Sequence, residues 1–187
     1  LRYWDDYRGR ASAAGVTLIE SLVALGVLVI VLTLGVSGLT GLVKHNARAT
    51  EINAMVGHLG FARAEAIVRA REVVVCAVDA ADLEGGCIGG TSGWADGYAV
   101  IDVASGEVLR FERGISGIKI KSNVSRYTFE DDGSLTAAAG GSLSFCDARD
   151  TARTDAERSA DVAEPRKVII SGAGRVRVSA AADVNCS

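Results

Sequence analysis

Gly15-Val16-Thr17-Leu18-Ile19-Glu20 opens the stretch on which the reading of this chain turns, because an apolar run follows it without a break to Val43. Between Val16 and Val43 the single charge is Glu20, near the outer end of the run. About 20 apolar residues suffice to cross a bilayer, so the length fits a membrane helix. A charged group at the centre of such a helix costs roughly 2.5–3.5 kcal/mol even on the lenient scale, and calls for a partner. Ahead of the run, Leu1 to Gly15 is polar, with Arg2, Arg8 and Arg10 against Asp5 and Asp6. Basic residues keep a flanking segment on the cytoplasmic side while the helix inserts. A secretory signal has its small-residue cleavage site after the apolar region. Here Gly15 comes first, so a cut after it leaves the helix on the mature chain. The new amino group at Val16 is a positive charge that Glu20 of a neighbouring copy can neutralise when helices pack. The plainer alternative is an ordinary single-pass anchor.

Beyond Val43 the helical signal continues. No proline occurs before Pro165, and Ile52, Met55, Val56, Leu59, Ala62, Ala66 and Ala70 recur at steps of three and four, with Arg48, Glu51, Glu65 and Arg69 on the opposite face. The pattern predicts one helix to about Arg69, roughly 80 Å long at about 1.5 Å per residue. From Glu72 onward short β-rich runs alternate with glycine turns. Strands are expected at Glu72–Val78, Gly97–Val103, Glu107–Phe111, Gly117–Ser122, Arg126–Phe129, Ser142–Cys146, Lys167–Ser171 and Arg175–Ser179. The fold class is therefore α+β, a long N-terminal helix on an antiparallel β domain. Its divisions are a leader (1–15), an apolar helix (16–43), an amphipathic half-helix (44–71) and a β domain (72–187). Asp147 to Arg166, with six acidic and four basic residues, is too charged for a core and reads as a long mobile loop.

Net charge is −3, so any nucleic-acid contact must come from a local basic patch. Cys76, Cys87, Cys146 and Cys186 all follow the apolar helix, where an exported domain meets oxidising conditions. Pairing nearest neighbours gives Cys76–Cys87 and Cys146–Cys186 as the expected disulfides, one of three possible connectivities. Metal binding is the disfavoured rival: there is no C-x-x-C, and His45 and His58 lie on the N-terminal helix. No nucleophile, base or phosphate loop combination supports catalysis, and no cofactor is implied. Trp94 and Tyr98 are read as packing aromatics.

The ordered leader, glycine and Glu20 resemble the type III signal of type IV pilins and pseudopilins. Val75-Cys76, Gly86-Cys87, Trp94-Ala95-Asp96-Gly97-Tyr98 and Gly172-Ala173-Gly174-Arg175-Val176-Arg177 resemble the FimT and GspH group of minor pilins and pseudopilins. Val16 stands where that family most often has phenylalanine. The resemblance implies a non-enzymatic filament subunit, cut and methylated by a prepilin peptidase, held in the bacterial inner membrane and then assembled with other pilins into a pilus on the cell surface. It also implies DNA binding in natural transformation through the Gly-Arg-any-Arg tail, matched at Gly174, Arg175, Val176 and Arg177. Residues two apart on a strand point the same way, so Arg175 and Arg177 should project together and each grip a phosphate without reading bases. Arg166 and Lys167 widen the patch, and Lys119, Lys121 and Arg126 are further candidates. Arginines alternating with valines are also what any half-exposed edge strand displays. The other functional reading is a GspH-like pseudopilin of type II secretion, or a minor pilin acting only in assembly.

Processing between Gly15 and Val16 is directly measurable. Mass spectrometry of protein from its native host should find a mature terminus at Val16; an intact leader on assembled protein would contradict it. Glu20→Ala should still be cut but should assemble poorly.

Overall fold

The computed structural model describes residues 15–91, 93–137, 140–147 and 165–180, with backbone alone for 33–45 and 147. The leader up to residue 14, the interior of the expected 147–166 loop, Cys186 and the His45 side chain lie outside the described residues. The chain divides into two compact units, Leu1–Leu42 and Val43–Ser187. Helix α1, Leu18–Arg69, runs through both.

In the first unit the helix starts on a capping box. The Glu20 N–H donates to Thr17 Oγ1 at 3.3 Å, and the Thr17 N–H reaches Glu20 Oε2 at 3.5 Å. From Val16 to Leu32 every large apolar side chain is at least 52% exposed. A helix that is apolar all round must be covered by lipid or protein. Among the described residues no helix is long and apolar enough to cross a membrane; the side chains of 33–45, much of the expected 16–43 span, lie outside them.

In the second unit the stripe expected on α1 is buried: Ile52, Met55, Leu59, Ala62 and Ala66 are each at most 3% exposed. Ala70, expected to end it, lies past the helix in the left-handed region at φ 50° and is exposed. It closes a Schellman-type turn, with the Arg71 N–H on the Ala66 carbonyl at 3.2 Å and the Ala70 N–H on that of Ile67 at 3.4 Å. Asp102, buried near this helix end, lies 3.6 Å from Arg69 and 3.5 Å from Arg71. The polar face is narrower than expected. Arg48 and Glu51 are buried, because the covered arc extends one residue beyond Ile52 and the Ile115 N–H binds Glu51 Oε2 at 3.2 Å.

Two antiparallel sheets complete the domain. The first contains β1 (Val73–Asp79), β2 (Asp82–Cys87), β3 (Gly97–Asp102), β4 (Val108–Arg113) and β6 (Arg126–Phe129), in the order β2-β1-β3-β4 with β6 also on β1. One edge of β1 is shared, β6 opposite Val73 to Cys76 and β2 opposite Val78 and Asp79. Strand β2 falls in a segment where the sequence pattern gives no strand. The Cys76–Cys87 disulfide fastens it to β1. The second sheet has the order β5-β7-β8-β9, from β5 (Ile118–Ser122), β7 (Gly141–Asp147), β8 (Arg166–Ile170) and β9 (Val176–Ala180). The described part of the expected loop therefore shrinks at both ends, since Asp147 and Arg166 belong to strands. Cys146 is disulfide-bonded, and its expected partner Cys186 lies outside the described residues.

One core joins α1 to both sheets, with Val73, Val75 and Val100 from the first and Leu143, Phe145, Val168 and Ile170 from the second. Trp94 and Tyr98 are fully buried in it. His58 is buried there too, edge-on to Tyr98 at 5.1 Å, with Nδ1 2.9 Å from the Ala54 carbonyl. Among the described residues His58 Nε2 has no hydrogen-bond partner, while the Glu51 carboxyl and the Tyr98 hydroxyl interact with each other. Burial raises the Glu51 carboxyl and the Tyr98 hydroxyl above their ordinary values.

Burial also holds the His58 pKa below 6.5, with the Arg110 charge acting the same way and Ala54 and Glu112 opposing. A histidine with a lowered folded pKa contributes stability that is complete above 6.5 and lost as pH falls toward the folded value. Thermal melts across that window should show wild type losing stability relative to His58→Leu as the medium is acidified. Glu51→Gln should remove the opposite slope, in which stability is lost as pH rises above 4.5.

Candidate nucleic-acid interface

The arginine-bearing segment is a hairpin. Strands β8 and β9 pair from Arg166↔Ala180 to Ile170↔Val176, and the turn between them is closed by the Gly174 N–H on the Ser171 carbonyl at 2.8 Å and the Ser171 N–H on that of Arg175 at 3.0 Å. Gly174 adopts φ +71°, the left-handed residue of a three-residue hairpin loop. The turn is fixed from outside as well. The Leu135 N–H donates to the Gly172 carbonyl at 2.7 Å. A Cβ on Gly174 would collide with the Gly133 carbonyl oxygen and press on Arg63 Nε of α1 at 3.1 Å. Arg63 was not legible as part of this site, because only the folded chain brings α1 beneath the turn.

Strand register sorts the basic residues onto faces. Lys121, Ser144, Lys167 and Ser179 lie side by side across β5, β7, β8 and β9, and Ser142, Ile169 and Arg177 form the next row. By two-residue alternation Lys119 shares this outer face, while Leu143, Phe145, Val168 and Ile170 occupy the inner one. Arg175, one residue ahead of β9, and Arg177 are both exposed and line one groove with Lys167, Ile169, Asn123 and Ser142. Two expected members fall elsewhere. Arg166 pairs with Phe145, so its alternation sets it on the other face from Lys167; Arg126 is in β6 of the first sheet. Alternation turns Val176 and Val178 to the inner face; Val176 is half-buried against the core, while Val178 is 41% exposed because β9 is an edge strand. No acidic side chain occurs among the described residues of the outer face of this sheet.

A long N-terminal helix packed through its second half on antiparallel sheets defines a subunit of the type IV minor pilin and pseudopilin class. The family profile described as type II transport protein GspH matches residues 51–174, and the chain belongs to that family. The match stops at Gly174, immediately before the two arginines. Among solved structures, the type IV minor pilin FimU of Pseudomonas aeruginosa is similar, with 23% identity, a TM-score of 0.52, and coverage of 80% of this chain and 98% of FimU. The minor pseudopilin EpsH from the type 2 secretion system of Vibrio cholerae follows at 12% identity and a TM-score of 0.44, covering 73% of this chain and 95% of EpsH. No curated protein matches. The family and fold are those of structural pilins.

The turn geometry makes a comparison of two glycines informative. Gly86 has nearly the same φ, +69°, but open space where a Cβ would go. Gly86→Ala should cost about 1–2 kcal/mol for the left-handed conformation alone. Gly174→Ala should cost distinctly more, because the Gly133 carbonyl must also move, and urea denaturation of the two variants measures the difference.

Proposed function

We propose that this chain is a FimT-like minor pilin that binds double-stranded DNA through its phosphate backbone, without sequence preference, during DNA uptake in natural transformation. The observation that carries the reading is the convergence of Arg175, Arg177 and Lys167 on one groove, beside a turn that Gly174 packs against Gly133 and Arg63. Guanidinium groups fit phosphate bidentately, and a lysine adds a point charge. Local charge of this kind acts at short range even on a chain of net charge −3.

The rest of the life cycle belongs to the same reading. A prepilin peptidase cuts after Gly15, the apolar helix holds the precursor in the inner membrane, and assembly with other pilins then covers the apolar side chains that stand open from Val16 to Leu32. Glu20 neutralises the Val16 amine of a neighbour. Within its own subunit it caps the helix, and a carboxylate has lone pairs enough for both. A second reading, a pseudopilin of type II secretion that contacts other pseudopilins and no nucleic acid, is favoured by the family match that ends at Gly174.

Fluorescence anisotropy on the full chain in uncharged detergent separates the two. Wild type should bind a short labelled duplex at low salt, and Arg175→Gln with Arg177→Gln should lower affinity more than tenfold. The slope of log affinity against log salt should flatten by about 1.8 if each arginine holds one phosphate. Circular dichroism should be unchanged, since both side chains face solvent. Absence of binding by wild type at low salt selects the secretion reading.

A further inference from the structure

The two arginines are one end of a longer line of charge. From the turn, Arg175 just ahead of β9 is followed by Arg177 on it, Lys167 lies on β8 one row further, Lys121 shares the Lys167 row on β5, and Lys119 comes two residues beyond it. β9 and β5 are three strand spacings apart, about 14 Å, and the line descends six residues along the strands, about 20 Å. The five cations therefore cross the outer face on a diagonal about 25 Å long, with steps of about 7–10 Å between neighbours. The same face carries Ser142, Ser144, Ile169 and Ser179, and the disulfide-bonded Cys146 opposite Lys119.

We infer that this diagonal is a phosphate track for one face of a DNA duplex, entered at Arg175 and continued to Lys119 on the opposite edge of the sheet. The inference rests on the DNA-binding reading and extends it from a tail to a face. Steps of that size are within reach, through long lysine and arginine side chains, of phosphates on a strand that advances about 3.4 Å per base pair along the axis. The composition of the face selects duplex over single strand. Single-strand binders present aromatic side chains on which bases stack, and this face has none among its described residues. Backbone contact is what remains, and a duplex offers twice the phosphate density of one strand.

The test uses the full chain in uncharged detergent, a labelled duplex of arbitrary sequence and a single strand of the same length. Lys119→Gln with Lys121→Gln removes the far end of the track without touching the turn. Wild type should bind the duplex more tightly than the single strand, and the lysine variant should lose several-fold in duplex affinity and flatten the salt slope by about 1.8, with circular dichroism unchanged. An unchanged slope in the lysine variant, with wild type binding and the arginine variant impaired, overturns the track and leaves the tail reading intact. Tighter binding of the single strand overturns the duplex assignment. No binding by wild type at low salt overturns the tail reading and the track together.

Discussion

Everything in the globular unit depends on burying the apolar stripe of α1 from Ile52 to Ala66. Met55 and Leu59 are completely enclosed, and a fully buried side chain of that size stabilises by about 1.5–3 kcal/mol. Both sheets meet this one stripe, so each must turn its aliphatic residues inward. For the second sheet the consequence is stereochemical. With Ile118, Ile120, Leu143, Phe145, Val168 and Ile170 committed to the core, alternation leaves Lys119, Lys121, Ser142, Ser144, Lys167 and Ile169 on the outside. The basic face is thus the reverse side of the core.

The same interface has a polar component that burial alone does not explain. Glu51, His58 and Tyr98 place a carboxyl, an imidazole and a hydroxyl inside it, and His58 Nε2 has no hydrogen-bond partner among the described residues. Such atoms are expensive to enclose. What Glu51 supplies in return is a directional tie to the Ile115 N–H, across 64 residues of sequence, which aliphatic packing cannot provide. A side chain that must meet one particular N–H fixes how α1 is rotated and where it sits along the sheets.

The features legible in the sequence are those set by local periodicity. The end of α1 at Arg69 follows from the spacing of Ile52, Met55, Leu59 and Ala66 and from the absence of proline, and the hairpin at Gly172-Ala173-Gly174 follows from its glycines. Features set by partners distant in sequence were harder to read. Arg48 and Glu51 look like a solvent face until two sheets cover the helix from more than one side. Strand β2 lacks β-forming residues, and its place comes from a crosslink and from the free stretch of β1 beyond β6. Arg166 and Lys167 are adjacent, yet a one-residue step in register sends them to opposite faces. Lys119 joins the arginines only because β7 and β8 lie between β5 and β9.

Strand β2 meets β1 at only two register pairs, Val78↔Cys87 and Asp79↔Asp82, with a bulge between them, and its own residues are exposed or half-buried. Its neighbour β1 is buried almost throughout. Local opening free energies run from near zero for exposed, sparsely bonded segments up to the global value for core strands, and β2 belongs at the low end without its sulfur bridge. Oxidation of Cys76 and Cys87 therefore holds down a margin that the few hydrogen bonds of β2 would otherwise leave free to open. In a reducing compartment the chain would hold its core while this margin exchanges amide hydrogens freely; after oxidation the margin opens only as far as its crosslink allows.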